Sequence, residues 1–174
     1  SIIEETLEYI IAHEVGHTLG FMHNMAASAA LPTDSLRSVA FTQQYGTTAS
    51  IMDYARFNYI AQPADDVRWV TPGIGEYDKF AIEYGYRWFG DKESDKDAVL
   101  ALLKRYKGKE YRYSEVQDAR DAVDPRAQTE DLGNDPVEAG QLGIANLKRI
   151  VPTILKRTTT GEAEQSYERA SELY

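Results

Sequence analysis

Apolar residues recur at every third or fourth position in four stretches of the chain, the spacing that collects side chains on one face of an α-helix. The pattern predicts helices over residues 4–19, 72–88, 94–106 and 136–151. The recurring apolar residues of the first stretch are Ile3, Leu7, Ile10, Ile11 and Leu19. We expect this helix to stop at Gly20, because glycine readily adopts the left-handed conformation that ends many helices. A last helical pattern follows Gly161.

Capping residues support the starts of the later helices. Thr71-Pro72 and Asp135-Pro136 are typical N-terminal pairs, because proline at the first helical position loses no hydrogen bond, and Ser94 is a third candidate cap. The residues expected on buried faces are Tyr77, Phe80, Ala81, Tyr84 and Trp88 in the second helix, and Val137, Ile144, Leu147, Val151 and Ile154 in the fourth. Pro152 should interrupt the fourth helix, since it has no N–H to bond one turn back.

The stretches between these helices have weaker patterns. Residues 24–50 are predicted to form a loop with one short helix that starts near Asp34. Residues 109–134 are polar, and the alternation of Tyr111 and Tyr113 suggests a short strand. The sequence therefore predicts a mainly α protein with little strand.

Composition limits the classes of partner and of metal ligand. The chain has 19 Lys and Arg against 28 Asp and Glu, a net charge of −9. That charge argues against nucleic acid or an anionic membrane as the main partner, and no apolar run is long enough to predict a membrane span. There is no cysteine, so any metal must be bound by histidine or oxygen. All three histidines of the chain fall within eleven residues.

These histidines belong to a His-Glu-x-x-His-x-x-Gly-x-x-His pattern at the end of the first predicted helix. His13 and His17 are four residues apart and therefore lie on one helix face, where both imidazoles can point at one metal ion. A turn at Gly20 would bring His23 to the same point. Three imidazoles and a water complete a tetrahedral Zn²⁺ site, and Glu14 is placed to take a proton from that water.

The alternative interpretation is two core histidines with a third nearby by chance. Every histidine of the chain stands at a ligand position, however, and the glutamate and the glycine of the pattern are also present. We therefore interpret His13, His17 and His23 as zinc ligands.

A second motif, Ser50-Ile51-Met52-Asp53-Tyr54, brings Met52 29 residues after His23. Together the two motifs resemble those of the metzincin metalloproteases, whose Met-turn packs a methionine beneath the zinc. The resemblance implies that Met52 is the floor of the site, and that Tyr54 reaches the zinc and helps to stabilise the transition state. An ordinary core methionine and a packing tyrosine are the alternatives at these two positions.

Further stretches of the chain narrow the resemblance. They are Ser50 to Tyr59, Glu76 to Ile82, Asp124 to Arg126, and Asp131 to Gly133. They are similar to the large zinc-dependent metalloproteases of Bacteroidetes and related bacteria, and the similarity runs from Ser1 to about Thr158. Only the zinc motif and the Met-turn carry a chemical role that can be transferred.

The resemblance also implies an architecture. Residues 1–60 are expected to form a metzincin-like active-site helix and Met-turn, and residues 61–174 a helical C-terminal subdomain of the same catalytic domain. In metzincins a sheet-bearing half precedes the active-site helix, and its edge strand holds the substrate. This sequence opens inside the helix, so we expect it to be part of a larger parent chain, without the sheet half. The helix face around Ile2, Ile3 and Ile10 should then be open.

The leading functional hypothesis is a zinc endopeptidase that acts on a protein or peptide substrate, with Glu14 as general base. The alternative is a helical interaction domain with a structural or vestigial zinc site. The resemblance implies a secreted, periplasmic or cell-surface location, although the chain contains no export signal. The isolated chain is expected to fold as a largely helical protein with little peptidase activity, because an edge strand that positions the substrate is missing.

Overall fold

The computed structural model describes residues 2–90, 95–115, 123–159 and 163–174. The α-helices in these ranges are α1 (Ile2–Thr18), α2 (Val39–Tyr45), α3 (Glu76–Tyr86), α4 (Asp95–Leu103), α5 (Pro136–Ile150), α6 (Ile154–Thr158) and α7 (Ala163–Leu173). Short 3-10 turns comprise Ser28–Ala30, Thr33–Arg37, Pro63–Asp65, Lys109–Tyr111 and Val151–Thr153. The described ranges contain no β-strand, and the prediction of a mainly α fold is confirmed. None of their helices combines the length and apolar character needed to cross a membrane.

The main core lies against the long connection between α1 and α3, residues 19–75, and not between the long helices. Its buried members are Leu36, Ala55, Ile60, Leu132 and Ala139. Three of them come from the connection, and the other two come from the start of α5 and the segment before it. The connection is therefore the part of the chain that the rest of the fold packs around.

Backbone groups of the segment that follows α4 need hydrogen-bond partners, and the side chain of Asn24 in the connection supplies two of them. Its amide donates to the carbonyl of Arg112 at 2.9 Å, and its oxygen accepts from the backbone N–H of Ser114 at 3.1 Å. The Met25 N–H donates to the Ser114 carbonyl at 2.8 Å. The strand expected from the alternation of two tyrosines is wrong, because Tyr111 ends a 3-10 turn and the residues after it bond to this loop.

Helix α3 begins four residues later than predicted and ends two residues earlier. Thr71 is not its cap, since the Thr71 hydroxyl donates to the carboxylate of Glu5 at 3.1 Å. The helix is instead capped by Asp78, whose carboxylate accepts from the N–H of Gly75 at 2.7 Å. Trp88 lies beyond the helix and is 81% exposed, so it is not part of a buried aromatic face.

The other helix ends agree with the sequence to different degrees. Helix α5 starts at Pro136, where the carboxylate of Asp135 accepts from the backbone of the first turn, and a 3-10 turn interrupts it at Pro152, as predicted. The short helix predicted near Asp34 is a 3-10 turn, which is followed by α2. Helix α4 ends three residues early, and its predicted cap, Ser94, lies outside the described residues.

Several apolar stripes that predicted helices are exposed. In α5 the exposed residues are Val137, Ile144 and Leu147, with Val151 just beyond it. The face of α5 that packs against Tyr59 carries the small residue Gly143. A Cβ on Gly143 would lie 3.0 Å from the Tyr59 ring, so a larger residue would be crowded there. The predicted burial of the aliphatic stripe is therefore wrong, apart from Ile154. In α1, Ile2, Ile3 and Ile10 are exposed, as expected.

Candidate metal centre

Three imidazoles meet where α1 ends. His13 and His17 lie one turn apart on the helix, and His23 follows five residues after Thr18, the last residue of the helix. One nitrogen atom from each ring lies within 4.8 Å of the other two. The Nε2 atoms of His17 and His23 are 3.1 Å apart. No other group of three or more metal-ligating side chains occurs among the described residues.

The turn at Gly20 makes this convergence possible. Gly20 has a φ of +83°, in the left-handed region that other residues rarely adopt. Its N–H donates to the His17 carbonyl at 2.9 Å, and the N–H of Phe21 donates to the Gly16 carbonyl at 3.0 Å. This pair of bonds is the Schellman motif of a helix C-terminus. The predicted role of Gly20 as a left-handed cap is confirmed.

Hydrogen bonds orient two of the rings. Nδ1 of His13 lies 2.8 Å from the carbonyl oxygen of Ile51, and Nδ1 of His17 lies 2.9 Å from that of Phe21. A carbonyl oxygen only accepts, so each Nδ1 carries the proton and each Nε2 presents a lone pair. Burial, followed by the neighbouring rings of His17 and His13, lowers the pKa of His23 and favours its neutral form. Neutral imidazoles with free Nε2 atoms fit a zinc ion.

Met52 lies directly beneath helix α1. Its side chain is fully buried, and a Cβ on Gly16 would lie 2.4 Å from the Met52 sulfur. Only a glycine at position 16 lets the backbone of α1 approach the sulfur so closely. Met52 therefore fills the space beneath Gly16, which lies between His13 and His17 on α1.

Asp78 fixes the segment that supports the site, and sequence reasoning did not assign it a role. Its buried carboxylate accepts from the Ser50 hydroxyl at 2.6 Å and from the Ile51 N–H at 2.8 Å. The carbonyl oxygen of Ile51 accepts from Nδ1 of His13. A chain of hydrogen bonds thus runs from the start of α3 to the first histidine. The signal in the sequence was an Asp three residues after Gly75, which is typical of a helix start.

The candidate ligands line an open cleft of about 250 Å³. Its other lining residues are Tyr9, Ile10, Glu14 and Tyr54. Glu14 is exposed at the edge of the cleft. The Tyr54 ring lies 4.4 Å from that of His23 and 5.8 Å from that of His13, between centroids, and Tyr54 is 42% exposed. Both residues predicted to be catalytic therefore face the same cleft as the three histidines.

A buried carboxylate lies next to Tyr54 in the chain. The Asp53 side chain accepts from the Ser28 N–H at 2.7 Å, while the Ser28 hydroxyl donates to Asp131 at 2.6 Å. Burial raises the pKa of Asp53 to about 7, and the charge of Asp131 adds to this effect. The Asp53 carbonyl accepts from the Tyr9 hydroxyl at 3.1 Å, so this segment is bonded to α1 as well.

Comparison with known proteins agrees with this arrangement. A family model described as Met-zincin matches residues 1–174. No curated protein and no solved structure matches the chain. The match covers the helix with its three histidines, the buried methionine beneath them, and the helices that follow. The chain therefore belongs to the Met-zincin family.

Proposed function

We propose that the protein is a zinc-dependent metallopeptidase that hydrolyses peptide bonds, with His13, His17 and His23 as the zinc ligands. The observation that carries this proposal is the convergence of three imidazoles, one nitrogen atom from each ring lying within 4.8 Å of the others. Membership in the Met-zincin family points to the same class of enzyme. The hydrogen bonds on the outer nitrogens of His13 and His17 support a role as ligands, since such bonds fix the ring orientation that a metal requires.

Glu14 is proposed as general base and then general acid. Zinc bound to the three histidines would polarise the scissile carbonyl and lower the pKa of a water molecule. The Glu14 carboxylate at the cleft edge would take a proton from that water while the oxygen of the water attacks the carbonyl carbon. When the C–N bond breaks, Glu14 returns the proton to the leaving amine, so the proton balance closes.

Tyr54 is proposed to stabilise the transition state. Its ring lies beside that of His23, with a centroid separation of 4.4 Å, and the residue is partly exposed where it lines the cleft. A phenol hydroxyl can donate a hydrogen bond to the oxygen of the scissile carbonyl as negative charge develops there. A backbone bond from Glu130 to the Tyr54 carbonyl, at 2.9 Å, holds this residue in the cleft.

We also propose that residues 1–60 build the site and residues 61–174 form a subdomain that supports it. The contacts of Asp78 with Ser50 and Ile51 support this division into two parts of one catalytic unit. A secreted, periplasmic or cell-surface location belongs to the same proposal. Its substrates are proteins or peptides.

The test is a Glu14→Gln variant in the full-length protein. Glutamine keeps the size of the side chain but cannot accept the proton, so peptide hydrolysis should fall by at least about 100-fold while zinc content stays at one per chain. Glu4→Gln, a change of the same charge on the same helix outside the cleft, should hydrolyse peptides as wild type does. Wild-type rates in Glu14→Gln would remove Glu14 from the mechanism. A zinc-loaded wild type that cleaves no member of a peptide library would overturn the proposed function.

A further inference from the structure

A second cavity, of about 340 Å³, opens beside the metal cleft between α1 and the chain that leads to α3. One wall is a stripe of α1 at three-to-four spacing, and the facing wall is the segment before α3. The lining residues are Glu5, Glu8, Tyr9, Ala12, Ile51, Trp69, Thr71, Pro72, Gly73 and Ile74. None of the functional residues proposed above is in this cavity, and it has no role in the chemistry of the metal centre.

The cavity adjoins the metal centre directly. Tyr9 lines both spaces, and its ring centroid is 6.1 Å from that of His13. Ala12 precedes His13 in the chain, and Ile51 provides the carbonyl to which His13 is hydrogen bonded. Consecutive Cα atoms of a peptide are about 3.8 Å apart, so a residue next to a bond held at the metal lies within reach of this cavity.

The walls of this cavity combine apolar surface with two carboxylates. Tyr9, Ala12 and Trp69 offer apolar surface, and Trp69 is 52% exposed along the cavity. The two carboxylates, Glu5 and Glu8, come from successive turns of α1, and no lysine or arginine among the described residues lines the cavity. The Thr71 hydroxyl donates to Glu5 at 3.1 Å and so holds that carboxylate against the facing wall.

We infer that this cavity binds the side chain of an arginine or lysine that flanks the scissile bond of the substrate. This inference rests on the proposed peptidase function and specifies its substrate class. A long basic side chain can lay its methylene stem along Tyr9 and Ala12 and bring its cationic end to the two glutamates. A guanidinium can in addition stack on the ring of Trp69. An acidic side chain would meet two negative charges with no cation to balance them.

The test compares two labelled peptides that differ only in an arginine or a citrulline next to the scissile bond. Citrulline has the shape of arginine without its charge. Binding is measured by fluorescence anisotropy in the zinc-loaded Glu14→Gln background, where the peptide is not consumed. We expect the arginine peptide to bind about tenfold more tightly, in the range for two partly exposed charge pairs. The preference should shrink in 0.5 M salt, because the carboxylates are accessible to solvent.

Variants assign the preference to the cavity. Adding Glu5→Gln and Glu8→Gln together should make the two peptides bind equally, with the citrulline affinity unchanged. The matched control is Glu4→Gln, which changes the same charge on the same helix outside the cavity and should keep the preference. Equal binding of the two peptides by the Glu14→Gln protein, or an arginine preference that survives the double change, would overturn the inference.

Cleavage of the same two peptides by the full-length wild type separates this inference from the proposed function. Cleavage of both peptides at equal rates would refute the basic preference and leave the peptidase proposal standing. Selective binding of the arginine peptide without cleavage of either would support the cavity assignment and refute the peptidase proposal. Selective cleavage of the arginine peptide, lost in the double variant, is the result that we expect.

Discussion

Replacing Gly20 should weaken zinc binding through backbone strain alone. Gly20 sits at the left-handed position of the Schellman turn, with a φ of +83°, and a Cβ added there would meet no heavy atom within 4 Å. A Cβ at this position therefore introduces no clash, and a substitution by alanine changes only the conformational preference of the residue. The turn carries the Phe21 carbonyl that bonds to His17, and it directs the chain to His23. Strain at Gly20 is thus transmitted to two of the three proposed ligands.

The expected size follows from the cost of the left-handed conformation. A residue with a Cβ pays about 1–2 kcal/mol there, and each 1.4 kcal/mol corresponds to about a tenfold change in affinity. If the metal-free turn relaxes, Gly20→Ala should lose about 5- to 30-fold in zinc affinity. Gly20→Val should lose more, because a β-branched residue is least tolerant of positive φ. Gly20→Asn should stay within about threefold of wild type, since asparagine tolerates this conformation.

The assay is a zinc titration in competition with a chromophoric chelator at fixed pH. Circular dichroism of each variant checks that the helices remain, so that a loss of affinity is not a loss of fold. If strain is the cause, zinc affinity should decrease in the order wild type, Gly20→Asn, Gly20→Ala, Gly20→Val. Wild-type affinity in Gly20→Val, or equal losses for Asn and Val, would refute the idea that the turn positions the ligands.

Two further predictions concern buried carboxylates. Asp78→Asn should lower the free energy of unfolding, measured by urea denaturation, by about 3 kcal/mol, because the carboxylate accepts three hydrogen bonds in a buried site. A loss below about 0.5 kcal/mol would mean that the segment with Ser50 and Ile51 holds its shape without Asp78. Burial raises the pKa of Asp53 to about 7 from its ordinary 3.8, so the folded protein keeps a proton that the unfolded chain has lost. The contribution of Asp53 to the free energy of unfolding should therefore be largest below about pH 4. It should fall by roughly 4 kcal/mol as the pH rises to 7. In Asp53→Asn the free energy of unfolding should vary less over that range, and an unchanged pH dependence would contradict the assignment.

The convergence of the three histidines was predictable from the sequence because these residues are close together in the chain. Helical spacing alone puts His13 and His17 on one face, and a glycine at position 20 predicts the turn that returns His23. These inferences need no knowledge of tertiary contacts. The helix over residues 4–19 and the interruption at Pro152 were predictable for the same reason.

The contacts that support the site were not predictable, because they join distant segments. Asp78 meets Ser50 across 28 positions of the chain, and a pattern read along the sequence contains no information about that pairing. Periodicity also failed to show which helix faces are buried. In α5 the bulky stripe with Ile144 and Leu147 is exposed, while Gly143 allows the close approach to Tyr59. Thr71-Pro72 matched the local signal for a helix start, yet the tertiary bond from Thr71 to Glu5 prevailed over that signal.

The proposed function requires that His13, His17 and His23 bind one zinc ion. X-ray absorption spectroscopy at the zinc edge, on protein loaded with one equivalent of zinc, tests it directly. We expect three imidazole nitrogens at about 2.0–2.1 Å from the metal, together with one oxygen ligand, and a loss of imidazole scattering in His23→Ala. A first shell made mainly of carboxylate oxygens, or an unchanged spectrum in His23→Ala, would contradict it.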